Sequence, residues 1–279
     1  MNRPFISAKL RWCCSVLFVM ACQAFLSQTH AASPYTLTHQ NSTATIDYQT
    51  GGGLTSWTVD GNNQVAQQWF YYRIGSGPGP VSSINTISAT PVFGTSFGTR
   101  GMSATYSNAT LSVADSYLLT GNTVGSGKSG LSETITILNY TSAPLTLDFF
   151  QFSHFTLADT TGNERVSIQN GSGGNPHSAW QTNSSGAYLN EIVNGEANHA
   201  EASTDSLTLT EMASPTFTSL NGATTASGDV TFAFEWDLTI PVGGSAQISI
   251  PVAIVPEPSA MALIALGLGA FIVRLRRQK

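Results

Sequence analysis

Glu235 and Asp237 are the two side chains best suited by type and spacing to acid–base work. Same-face neighbours on a strand stand about 6.5–7 Å apart, within the ~5–9.5 Å over which paired carboxylates hydrolyse a glycosidic bond. They alternate with Phe232, Phe234, Trp236 and Leu238, so the apolar residues claim the buried face and the acids are expected on the solvated one. Asp159 and Glu164, with Asn163 between them, offer oxygens without the spacing of a calcium loop. His39, His154, His177 and His199 form no pair at ligand spacing, and His154, inside the apolar stretch Leu145–Leu157, is expected as a satisfied core histidine. Gly121–Ser129 has the look of a phosphate loop, but Asn122 stands where the motif needs glycine and Leu131–Asn139 reads as strand, not helix. A flexible hairpin loop is the better account. No Gly-x-Ser-x-Gly elbow occurs. Spacing therefore assigns no catalytic residue, no metal ligand and no cofactor-binding residue.

Any such residues would have to be positioned by strands. Thr231–Leu238, Thr134–Leu138, Leu207–Leu209 and Ala246–Ile250 alternate with period two and are rich in β-branched and aromatic residues. Leu54–Asp60, Gly61-Asn62-Asn63 and Gln64–Ile74 read as a hairpin whose turn residues accept positive φ. Breaks fall at Gly75–Pro80, Gly121–Gly130, Gly171–Pro176, Asn221–Gly228 and Val242–Gly244. No helical stripe stands out. The expectation is one all-β domain of about a dozen strands over residues 32–255, an antiparallel β-sandwich or jelly roll. Trp57, Trp69, Phe70, Tyr71 and Tyr72 cluster at the first hairpin; burial in the core outweighs a sugar-stacking platform, because aromatics dominate sandwich cores.

Charge narrows the partners. Residues 32–255 hold fifteen acids and four bases (Arg73, Arg100, Lys128, Arg165), a net of −11, so nucleic acid is not an expected partner. The other bases sit mainly at the two ends. Arg3, Lys9 and Arg11 precede an apolar stretch, Trp12–Leu26, and a small-residue close at Thr29-His30-Ala31, the layout of a secretory signal peptide over residues 1–31. Cys13, Cys14 and Cys22 all lie in that segment, which leaves the exported body without cysteine chemistry. At the other end, Ser259–Val273 is a run of 15 residues without charge, followed by Arg274, Arg276, Arg277 and Lys279. As a helix it spans about 22 Å, short of a ~30 Å hydrocarbon core, and snorkelling arginines make up part of the difference. Positive charge at its end keeps the terminus cytoplasmic and places the body across the inner membrane.

Pro256-Glu257-Pro258, the glycine-bearing apolar segment with Gly267 and Gly269, and the arginine cluster together resemble the PEP-CTERM sorting signal. The resemblance spans residues 255–279, and the tail is taken as 256–279 with a transmembrane helix at 259–273. It implies recognition by an exosortase-like membrane enzyme of cysteine-transpeptidase type, cleavage near Pro256-Glu257-Pro258, and a path from transient inner-membrane anchorage to the cell surface or outside. It also implies a Gram-negative producer of exopolysaccharide. Pro256, Glu257, Pro258, Arg274, Arg276 and Arg277 are the residues it marks. Separately, Gly53–Gly61 resembles the opening of mutarotase-like sandwiches. The expected function is an exported surface or extracellular-matrix protein that binds or organises exopolysaccharide. The alternative is a secreted carbohydrate-active enzyme, a glycoside hydrolase or a mutarotase-like protein, on a sandwich fold.

Overall fold

The computed structural model describes residues 34–159 and 162–256. The expected signal peptide and the expected helix at 259–273 lie outside these residues. Eighteen strands are described. The first nine are β1 (Tyr35–His39), β2 (Ser42–Asp47), β3 (Gly53–Val59), β4 (Asn62–Asn63), β5 (Val65–Ile74), β6 (Ser82–Ser83), β7 (Val92–Ser96), β8 (Gly101–Ser107) and β9 (Leu111–Gly121). The rest are β10 (Ser129–Asn139), β11 (Leu145–Phe155), β12 (Glu164–Asn170), β13 (Pro176–Asn183), β14 (Ala187–Ile192), β15 (His199–Thr204), β16 (Thr225–Gly228), β17 (Val230–Ile240) and β18 (Ser245–Pro256). They build two nine-stranded antiparallel sheets. The first runs β1-β2-β3-β5-β11-β17-β15, with β4 and β6 paired at its margins; the second runs β16-β12-β13-β14-β18-β10-β9-β8-β7. The expected antiparallel sandwich is present, with more strands than the dozen read from the sequence, because short strands such as β4 and β16 lie inside stretches read as turns.

Alternation decides which side chains meet between the sheets. Phe232, Phe234 and Trp236 of β17 join Phe70, Phe149 and Phe155 in the main core, and Phe70 stacks on Phe149 with centroids 5.8 Å apart. The second sheet adds Leu131, Ile135, Ile137, Ile248, Ile250 and Val252. Trp57, Trp69 and Phe70 are fully buried in the core, as expected, while Tyr71 and Tyr72 are partly buried and pack against it. The hairpin's close approach depends on one glycine. Gly53 has φ +69°, and a Cβ there would lie 2.2 Å from the Gln68 carbonyl oxygen.

β11 and β17 are buried on both faces, as near-continuous apolar runs are. The cover on their outward side is a short helix, α1 (Leu207–Met212), and the chain after it. Phe150 and Ala233 of the sheet pack there against Met212, Phe217 and Leu220 in a second, smaller core. Leu207–Leu209 is therefore helix and not the expected strand. Its buried stripe is Thr208 and Met212, one turn apart. Thr208 is not apolar, so the period stayed hidden; its hydroxyl donates to Glu201 Oε1 at 3.1 Å.

Candidate functional site: a carboxylate cleft on the first sheet

Strand register brings together residues from four strands. On the outward face of the first sheet, Arg73 of β5 lies opposite Asp148 of β11, which lies opposite Asp237 of β17. In the next row Phe150 faces Glu235, and Glu235 faces His199 of β15. One oxygen from each of Asp148, Glu235 and Asp237 falls within 4.8 Å of the others. The cleft around them has a volume of about 340 Å³, with Thr146, Thr218, Ser219 and Thr239 adding hydroxyls.

Two of the three carboxylates are held by donors. Arg73 donates to Asp148 Oδ2 through Nε at 3.1 Å and Nη2 at 2.6 Å. Its remaining donors reach the carbonyls of Gly79 at 3.0 Å, Phe217 at 2.9 Å and Thr218 at 2.5 Å. The guanidinium lies 5.4 Å from the Phe217 ring centroid and 5.9 Å from that of Phe150. One arginine thus binds the covering chain to the sheet and neutralises an acid. Glu235 Oε2 accepts from Ser219 Oγ and from the Leu220 amide, each at 2.8 Å. Burial raises the pKa of both acids; the Arg73 hydrogen bonds and charge oppose the rise at Asp148, and the Leu220 and Ser219 donors oppose it at Glu235. Asp237 is open to solvent, and its Oδ2 lies 3.5 Å from His199 Nε2.

Several sequence readings are corrected by this arrangement. Glu235 is 1% exposed and lies under the chain that follows α1, not on a solvated side; Asp237 alone matches that expectation. His154 is half-buried and not a core residue: its Nε2 lies 2.8 Å from Asp229 Oδ1. Gly121–Ser129 is the end of β9, a loop and the start of β10, so the hairpin account holds. Asp60 accepts from the amides of Gly125 and Gly127 in that loop, and these bonds with Asn41 lower its pKa. Arg73, Asp148 and His199 were not paired with Glu235 and Asp237 at the level of sequence, because only sheet register makes them neighbours. The available signal was an ionisable residue inside an apolar strand: Asp148 interrupts Leu147-Asp148-Phe149-Phe150, and Arg73 ends Trp69-Phe70-Tyr71-Tyr72.

Chemically, the cleft is an oxygen-rich acceptor site with one imidazole. Its all-oxygen set suits sugar hydroxyls or a hard divalent cation of the calcium class. The carboxylate–imidazole neighbours Asp237 and His199 can also exchange a proton with a bound hydroxyl.

The sorting residues lie elsewhere. Pro256 ends β18, paired with Ala187, while Glu257, Pro258, Arg274, Arg276 and Arg277 fall outside the described residues.

No curated protein matches the chain. Solved structures resemble it in fold. A bacterial glucoamylase in complex with acarbose aligns with a TM-score of 0.56 at 11% identity, over 85% of this chain; the chain spans only 36% of that enzyme. A putative aldose 1-epimerase from Escherichia coli K12 aligns at 0.53 and 9% identity, over 80% of this chain and 99% of the epimerase. The Slr1438 protein from Synechocystis sp. PCC 6803 aligns at 0.50 and 9% identity, over 81% of this chain and 99% of its own. At such identities the likeness is one of fold. Residues 255–277 match the PEP-CTERM protein-sorting motif, and the chain therefore carries that sorting signal at the end of its sandwich.

Proposed function

We propose that the protein is exported, anchored in the inner membrane by its tail, trimmed there by an exosortase-like enzyme and displayed at the cell surface, where its sandwich binds a saccharide. The observation that carries the binding reading is the cleft of Asp148, Glu235, Asp237 and His199, where acceptor oxygens from separate strands converge in a volume of about 340 Å³. That volume lies in the range of small-ligand sites, and carboxylates with hydroxyl neighbours are good partners for sugar hydroxyls. The delivery reading rests on the sorting motif. Within it, the two prolines of Pro256-Glu257-Pro258 disfavour helix for themselves and for the residue before each, which suits a segment offered to a processing enzyme. Arg274, Arg276 and Arg277 retain the tail during export.

A second reading is a carbohydrate-active enzyme. Glu235, a buried acid with a raised pKa, is the observation that favours it, with an imidazole in the same cleft. Titration calorimetry of the full chain against mono- and oligosaccharides tests the first reading, and Asp237→Asn is expected to weaken binding severalfold. Polarimetric mutarotation or reducing-sugar release by the unaltered chain would establish the second. Binding in neither assay removes the saccharide reading. For delivery, alanine at Pro256, Glu257 and Pro258 is expected to leave full-length protein in the membrane, whereas intact mass of the unaltered surface form is expected to lack Lys279.

A further inference from the structure

The nine strands of the second sheet contain four acids: Asp115, Glu133, Glu164 and Glu191. Every one is buried, none more than 1% exposed. The outward face of this sheet therefore carries no carboxylate, although the body of the chain has fifteen acids against four bases. Serine and threonine are its commonest residues, as in Ser132, Thr134 and Thr136 of β10, which point away from the buried Leu131, Glu133 and Ile135. The permanent charge on this face is Arg165 of β12, which makes no ion pair among the described residues.

Beside Arg165 stands an aromatic corner. Trp180 of β13 is 47% exposed in mid-strand, where nothing from the core explains an indole. Tyr188 of β14 meets it edge-on, with ring centroids 5.7 Å apart and planes at 83°. Arg165, Ser167, Thr182 and Ser227 complete a groove of about 470 Å³. A flat indole stacks on the C–H face of a sugar ring, hydroxyl side chains bond the ring's edge, and a guanidinium pairs bidentately with a carboxylate.

We propose that this outward face binds an acidic, uronate-bearing polysaccharide, with Trp180 as the stacking platform and Arg165 as the partner of the sugar carboxylate. Charge selects the occupant. An anionic chain meets repulsion from the acids over most of this body and none from side chains of this sheet face, where it also gains its one guanidinium. Nucleic acid carries a denser charge than a single arginine offsets. The proposal rests on the reading of the protein as a surface saccharide binder, but it uses a face of the other sheet and its own residues.

The test is affinity of the full chain in detergent for polygalacturonate and for neutral amylose. Polygalacturonate is expected to bind more tightly. Trp180→Ala is expected to weaken it about tenfold, and Arg165→Gln to weaken it about tenfold while sparing amylose. Equal affinity for the two polymers, or no loss in Trp180→Ala, overturns the proposal. Loss in Asp237→Asn but not in Trp180→Ala overturns it too, and moves binding to the cleft. Stronger capture by a single-stranded oligonucleotide, or by phosphatidylglycerol vesicles through Trp180, overturns it in favour of a general anion or membrane face. Loss of amylose and oligosaccharide binding with polygalacturonate retained would remove the cleft reading and leave this one standing.

Discussion

Two triplets of carboxylates lie on opposite sides of the first sheet. The outer one is Asp148, Glu235 and Asp237 in the cleft; the inner one is Asp115, Glu133 and Glu191, projecting from the second sheet into the space between the two. Asp148 and Glu235 are nearly as buried as the inner acids, at 5% and 1% exposure. What differs is the supply of donors. The outer acids have a guanidinium, a hydroxyl and a backbone amide. The inner ones face Gln68, Gln151, Ser153 and Tyr117, with no base among them. Tyr117, Gln68 and Gln151 stand close enough to oppose the rise at Asp115, Glu133 and Glu191, but neither oxygen of Asp115 or Glu133, and neither polar atom of the Gln151 amide, has a partner in good hydrogen-bond geometry. Gln68 Nε2 and Ser153 Oγ reach Glu191 Oε2 only at 3.4 and 3.5 Å. Burial drives Asp115 and Glu191 up to about 8 and Glu133 upward as well, with neighbouring acids adding to Glu133. A buried carboxylate without donors keeps its proton, whereas one supplied with donors can hold its charge.

The largest expected effect breaks this comparison through pH. An inner acid that titrates near 8 in the fold and near 4 in the unfolded chain binds its proton more tightly when folded. Folding then takes up protons between those values. The inner acids' contribution is greatest at low pH and falls as pH rises above about 4; for Asp115 and Glu191 the fall ends near 8. The slope is at most about 1.4 kcal/mol per pH unit for each group. Urea unfolding at pH 5 and pH 8 is expected to show lower stability at pH 8, by several kcal/mol. The triple variant Asp115→Asn, Glu133→Gln, Glu191→Gln is expected to flatten the dependence. A midpoint that climbs from pH 5 to pH 8 would contradict the assignment.

Arg73→Met tests the outer triplet's donors. It leaves Asp148 and the carbonyls of Gly79, Phe217 and Thr218 without their partner, and an expected loss of about 3–5 kcal/mol follows from an unpaired buried charge. A loss under about 1 kcal/mol in denaturant titration would show the ion pair to be dispensable. Ser219→Ala removes one donor to Glu235 and is expected to cost about 1 kcal/mol. The smallest effect is that of Asp237→Asn, within about 0.5 kcal/mol of the unaltered protein, because that acid is solvated and its removal relieves repulsion on both neighbours.

Much of the fold was legible in the sequence, because period-two alternation is local. Phe232-Ala233-Phe234-Glu235-Trp236 marks a strand and its inner face without reference to any other segment. The same frame places Asp115 in phase with Val113, Tyr117 and Leu119, and Glu133 in phase with Leu131 and Ile135, so two of the inner acids were readable as buried. Glu235 was not. Its burial comes from the chain after Ser206, and α1 there shows its stripe through Thr208, which no apolar pattern detects. The cleft was half visible, as a dyad on one strand; Asp148, Arg73 and His199 enter by lateral register, which a single sequence does not state. Trp180 drew no separate reading from the sequence, and its exposure in mid-strand is what separates it from Trp57 and Trp69.

The place of β18 bears on how the body would withstand force. The sorting motif begins at Val255, inside β18, which runs to Pro256. β18 is an interior strand, with ten residue pairs to β10 on one side and five to β14 on the other. A pull on the tail in line with the strand loads all of these pairs in shear at once, instead of unzipping an edge strand rung by rung. Of the two ways for a strand to carry a load, that is the stronger.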